Sequence, residues 1–175
     1  NKFTRFPIEN PDKVFPSLTY LNISDNELET IDEISKISTL KYLNLNDNWI
    51  KEVRLNNFDD LLELLLDDNS LKTIPFINSN TSLYNPVYLD RLSLARNLID
   101  CVKYMNYYVR ELCLNENGIT TIENILLEHV SILHAAKNRI KIIQTVRSSI
   151  DKSLIEAIDL SHNIISKISM NIYYL

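Results

Sequence analysis

Seven stretches of this chain carry one pattern: an apolar residue, two free positions, a second apolar residue, one free position, a third, then two free positions, asparagine, one free position and an aliphatic residue. The stretches begin at Leu18, Leu40, Leu61, Leu89, Val109, Val130 and Ile155. Their asparagines are Asn26, Asn48, Asn69, Asn97, Asn117, Asn138 and Asn163, separated by 22, 21, 28, 20, 21 and 25 residues. A period this regular constrains the fold more than any single motif. Each unit is too short to bury its own apolar side, so the units must stack. The central apolar-x-apolar step predicts a short strand with alternate residues facing inward. The asparagine amide has both donors and acceptors. Placed in a turn, it can satisfy backbone groups of the adjoining coil that would otherwise be buried without partners.

Behind each asparagine the apolar spacing lengthens toward three. Asn26 is followed by Leu28, Ile31, Ile34, Ile37 and Leu40, and Asn117 by Ile119, Ile122, Ile125 and Val130. That spacing predicts 3₁₀ turns or short helices behind the strands. The 20-residue interval after Asn97 leaves little room, so an extended segment is expected there. The 28-residue interval holds a polar insertion with two prolines, residues 75–87, which reads as a loop leaving the coil.

The pattern resembles the leucine-rich repeat signature over nearly the whole chain. The expected fold is an α/β solenoid, a horseshoe with a concave parallel sheet and short 3₁₀, helical or extended convex segments. The array spans residues 1–175 as about seven repeats plus a partial one at Asn1–Pro7. Tyr173, Tyr174 and Leu175 follow the last repeat with no polar cap. Solenoids need capping ends, so the chain reads as a section of a longer array.

Composition removes several function classes. Eighteen basic against 23 acidic residues leave a net charge of −5, unlike the basic face that binds nucleic acid. No apolar run reaches the ~18–20 residues of a membrane helix. The single glycine, Gly118, rules out a glycine-rich phosphate loop. Two cysteines, Cys101 and Cys113, make no disulfide framework or metal-type spacing; thiols and a single bridge both remain open.

Repeat register sorts the residues between consensus positions into three columns expected on the concave face. The first is Tyr20, Tyr42, Glu63, Arg91, Glu111, Ile132 and Ala157; the second is Asn22, Asn44, Leu65, Ser93, Cys113, His134 and Asp159. The third, preceding each asparagine, is Asp25, Asp47, Asp68, Arg96, Glu116, Lys137 and His162. Aromatic residues beside a polar rim suit protein recognition. The expected partner-binding residues are Tyr20, Tyr42, Asp25, Asp47, Asp67, Asp68 and Glu63. The acids come from separate strands rather than one ligand loop, so no metal or cofactor is read here. Asn80 and Asn22 head Asn-x-Ser/Thr sequons and are candidate glycosylation sites.

Cys113, His134 and Asp159 share the second column on three adjacent repeats. The row imitates a nucleophile, base and orienter. No oxyanion donors or water-excluding pocket accompany it, and surface residues are the reading adopted. The same register turns Ala135 inward, at a leucine position, and Ala136 outward.

Leu133-His134-Ala135-Ala136-Lys137-Asn138 resembles a repeat of the mosquito leucine-rich immune proteins, and the polar stretch from Arg147 to Ser153 resembles their lengthened interval. That resemblance implies a secreted protein of innate immunity whose partner is a complement-like thioester protein, with assembly through coiled coils that this sequence does not contain. The apolar run Leu28, Ile31, Ile34, Ile37 and Leu40, part of a regular 22-residue repeat, instead resembles the intracellular phosphatase-regulator repeats. That alternative implies a cytoplasmic scaffold for a partner enzyme or the cytoskeleton. Both resemblances imply a protein-binding domain rather than an enzyme.

Overall fold

The computed structural model describes residues 2–58, 60–76, 87–102, 105–123, 128–147 and 154–172. Seven short strands form one parallel sheet: β1 (Tyr20–Asn22), β2 (Tyr42–Asn44), β3 (Glu63–Leu65), β4 (Tyr88–Ser93), β5 (Tyr108–Cys113), β7 (Val130–His134) and β9 (Ala157–Asp159). Their order in the sheet is their order in the chain. Each strand therefore leads into one coil that returns beside it. The pairing aligns Tyr20 with Tyr42, Tyr42 with Glu63, Glu63 with Arg91, Arg91 with Glu111, Glu111 with Ile132 and Ile132 with Ala157. The second column pairs the same way, from Asn22 to Asp159. The register read from the asparagine period is the register of the sheet.

The asparagines join successive coils. Asn48 Oδ1 accepts the Leu28 N–H, Asn69 Oδ1 accepts Ile50, Asn97 Oδ1 accepts Leu71, and so on to Asn163 and Ile140. Each Nδ2 donates backward as well: Asn69 to the Leu45 carbonyl, Asn138 to Leu114, Asn163 to Ala135. Asn48, Asn69, Asn97 and Asn138 are buried, yet no buried side-chain nitrogen or oxygen among the described residues lacks a partner. Behind the ladder lies one continuous aliphatic core running from Leu28 to Ile140, with Phe58 and Tyr107 its largest members.

The residue before each asparagine has a left-handed backbone: Asp25, Asp47, Asp68, Arg96, Glu116, Lys137 and His162 all have φ between 53° and 57°. None is glycine, although a side chain costs roughly 1 kcal/mol in that region. These residues lie three beyond the sheet pairing, in the turn that leaves the strand. The third column is therefore a rim of the concave face, not part of the sheet, and this corrects the expectation.

The convex side is only partly as expected. A 3₁₀ turn, η1 (Ile34–Lys36), does follow the first complete strand. After Asn117 the convex side holds a short strand first and then helical residues at Glu128 and His129. β6 (Thr121–Ile122), β8 (Ile142–Arg147) and β10 (Lys167–Ile172) pair in parallel as a second sheet of order β10-β8-β6. Their β-branched content, as in Ile142, Ile143, Thr145 and Val146, favours strand over helix, and adjacent coils supply the pairing. A short α-helix, α1 (Pro11–Val14), precedes the first strand. No helix is long and apolar enough to cross a membrane among the described residues.

Residues 77–86 of the expected loop lie outside the described residues. Its root is fixed on one side: Tyr107, fully buried, donates its hydroxyl to the Pro75 carbonyl at 2.8 Å, and Phe76 bridges to Arg54.

Candidate functional site

The seven residues expected to meet a partner divide into three structural roles. Tyr20, Tyr42 and Glu63 stand side by side on β1, β2 and β3. Both tyrosines are open to solvent, at 60% and 42% of their full exposure. Glu63 is half-buried. Neighbouring strands are ~4.8 Å apart, so the three side chains form a continuous row.

Asp25, Asp47 and Asp68 form a parallel row on the rim, with the same left-handed backbone. Their side chains have different partners. Asp68 is held by Arg96, whose Nε donates at 2.7 Å and Nη2 at 2.6 Å. Among the described residues, Asp25 accepts only a long bond of 3.4 Å from Ser24 Oγ. Asp47 sits between the two acids and has no salt bridge among the described residues. Asp47 is exposed, and slight desolvation, followed by the charges of Asp68 and Asp25, raises its carboxyl above the usual aspartate range.

Asp67 belongs to neither row. Its Oδ1 accepts the Ser93 hydroxyl at 2.6 Å and the Ala95 N–H at 2.8 Å, while its own N–H donates to Asn46 Oδ1. A second, shorter polar ladder thus runs inside the rim through Asn46 and Asp67. Asn115 repeats the device by accepting the Ala136 N–H. These bonds cover the residues they join, so Ser93 and Ala136 are buried although the register turns them outward.

Of the candidate glycosylation sites, Asn80 lies outside the described residues. Asn22 is exposed on β1, and its Oδ1 accepts the Ser24 N–H within its own turn.

Leucine Rich Repeat is the family model that matches, over residues 17–37. Among solved structures, the chain is similar to the mosquito LRIM1/APL1C complex, with 22% identity and a TM-score of 0.69 over 90% of this chain and 28% of that one. It is also similar to the APL1 leucine-rich repeat domain, with 21% identity and a TM-score of 0.64 over 87% of this chain and 39% of that one. The fold is that of a leucine-rich repeat solenoid. Among curated proteins, a protein phosphatase 1 regulatory inhibitor subunit PPP1R7 homolog from Arabidopsis thaliana is 29% identical over 143 residues. The match covers 76% of the solenoid and 42% of that relative, so the solenoid spans less than half of the protein it matches.

Farther along the solenoid the concave wall carries a row of ionisable side chains. Arg91 Nε and His134 Nε2 each lie 3.8 Å from Glu111 Oε1. Cys113, His134 and Asp159 do align across β5, β7 and β9. Burial nevertheless pushes the Cys113 thiol up, opposite to what a nucleophilic thiolate needs. Asp159 accepts the Ser161 N–H, and this bond holds its carboxyl below the usual range. The two cysteines form no disulfide.

Two surface features escaped the sequence reading. Trp49, directly after the ladder residue Asn48, is 49% exposed near the acidic rim. Tyr88, Tyr108 and His129 stack in succession, with ring centroids 5.1 and 5.0 Å apart. Their signal was present: each directly precedes the first consensus apolar residue of its repeat, at Leu89, Val109 and Val130.

Proposed function

We propose that this solenoid is a non-catalytic scaffold that recognises a protein partner on the concave face of its first three repeats. The observation carrying this reading is the pair of exposed tyrosines, Tyr20 and Tyr42, set in register on a rigid sheet beside an aspartate rim. Tyrosine brings large contact area with little side-chain entropy to lose, which suits it to interface centres. Glu63 extends the sheet row; Asp25, Asp47 and Asp68 supply a charged edge; Asp67 fixes the turn beneath them.

In the first reading the scaffold works outside the cell in immune recognition, with a complement-like thioester protein as partner. The Leu-His-Ala-Ala strand and the sequon at Asn80 support it. The relative named as a phosphatase regulatory inhibitor subunit homolog favours a second reading, an intracellular scaffold for an enzyme. Mass spectrometry of the natural protein before and after glycosidase treatment separates them. A glycan on Asn80 supports the first reading, and unmodified Asn80 and Asn22 support the second. Hydrogen exchange with and without the bound partner tests the surface. Protection confined to β1, β2, β3 and their turns is expected; protection only on the convex side contradicts it.

A further inference from the structure

We infer that the face formed by Tyr20, Tyr42, Asp25 and Asp47 receives an arginine-bearing extended segment of the partner. This rests on the recognition reading above and specifies the chemistry of what is recognised. The two tyrosine rings are cross-strand neighbours and both are solvent-exposed. A guanidinium stacks on such rings and forks onto a carboxylate, a combination an ammonium does not reproduce.

Charge complementarity points the same way. The rim cations farther along are already engaged, Arg96 by Asp68 and Lys137 by Glu116. Lys2 and Lys51 near the first coils pair with Glu27 and Glu29. No salt bridge reaches Asp25 or Asp47 among the described residues. The nearest basic side chain along β2 is Lys41, before Tyr42 at the opposite end of the strand from Asp47. The negative potential is therefore concentrated past the far ends of β1 and β2, with the tyrosine row at their near ends and the Asn22–Asn44 pair between, so that an extended segment lying along the strands sets one arginine on the rings and another on the carboxylates. An apolar segment would bury both carboxylates without compensation. An acidic one would be repelled. A metal ion lacks ligands, because no group of three or more acids, histidines or cysteines among the described residues is arranged to hold one.

Fluorescence anisotropy of the whole chain with a labelled peptide of alternating arginine and glycine tests the assignment. Matched peptides carry lysine, citrulline or glutamate in place of arginine. The arginine peptide is expected to bind severalfold more tightly than the lysine peptide, and the citrulline and glutamate peptides not at all. Tyr20→Ala with Tyr42→Ala, and separately Asp25→Asn with Asp47→Asn, should each weaken binding at least tenfold. Asparagine is well tolerated at positive φ, so the second pair keeps the fold. The control pair Asp90→Asn with Glu156→Gln removes the same charge elsewhere and should leave affinity unchanged. Equal loss in the control pair would overturn the site, because the peptide would then be reporting net acidity alone. The natural partner separates the two levels of the proposal. A partner lost with the tyrosine pair but retained by the aspartate pair overturns the arginine segment and leaves the concave recognition reading standing. A partner retained by both overturns both.

Discussion

The Leu71 N–H donates to Asn97 Oδ1 at 3.0 Å, across the longest interval in the array. The corresponding bond from Ile50 to Asn69, across a 21-residue interval, is also 3.0 Å. Extra chain between coils leaves the rung unchanged, so the ladder and not the coil length sets the stacking. Asn97→Ala would leave the Leu71 N–H and several carbonyls without this partner inside the core. The expected loss is on the order of 3 kcal/mol, with a smaller loss for the more exposed Asn163→Ala, read from urea midpoints. Equal small effects at both positions would show that water replaces the amide.

Lys137 has φ of 54° and one exposed ion pair, to Glu116. Relief of the left-handed backbone should outweigh loss of that pair and the greater freedom of unfolded glycine. Lys137→Gly is expected to raise stability by about 0.5 kcal/mol, and Lys137→Val to lower it by about 1 kcal/mol or more. Chemical denaturation of the three proteins should rank them glycine, lysine, valine.

Asp47 holds its proton more tightly in the folded chain than in the unfolded one, through slight desolvation and the charges of Asp68 and Asp25. Between the ordinary aspartate pKa and the raised folded value, the folded state binds more protons. Stability therefore falls as pH rises through that window. Asp47→Asn should be more stable than the parent at neutral pH by a few tenths of a kcal/mol, given the exposure of the site. That advantage should fade as pH drops below the ordinary aspartate range. Paired denaturation midpoints at neutral and acidic pH check the sign.

Cys113 is half-buried, and burial disfavours its thiolate. Iodoacetamide should modify it more slowly than a small free thiol at neutral pH, with the rate climbing only above the usual thiol range. His134→Asn should leave that profile unchanged. Fast labelling at mildly acidic pH, lost on that substitution, would mean an activated pair and contradict the surface-residue reading.

The repeat period made the sheet legible. One asparagine per coil sets the register, so the Tyr20–Tyr42–Glu63 row and the Cys113–His134–Asp159 row could be read before any coordinates. What the period could not carry was contact between coils. Asp67 looks like another surface acid in the sequence, yet it bonds Ser93 and Ala95 in the next coil. The left-handed turn accepts Asp, Arg, Glu, Lys and His alike, so composition gives no sign of it. The convex strands at Thr121, Ile142 and Lys167 depend on neighbouring coils for their bonds, and their apolar spacing alone suggested 3₁₀ turns. Trp49 and the Tyr88–Tyr108–His129 stack lie outside the three columns chosen, although the same alignment contains them.

The most direct measurement of the recognition account is the natural partner's affinity for the chain and for its Tyr20→Ala, Tyr42→Ala form, taken with circular dichroism on both. Affinity should fall at least tenfold while the spectrum is unchanged. Unchanged affinity in a folded double variant would contradict the concave face of the first repeats as the binding site.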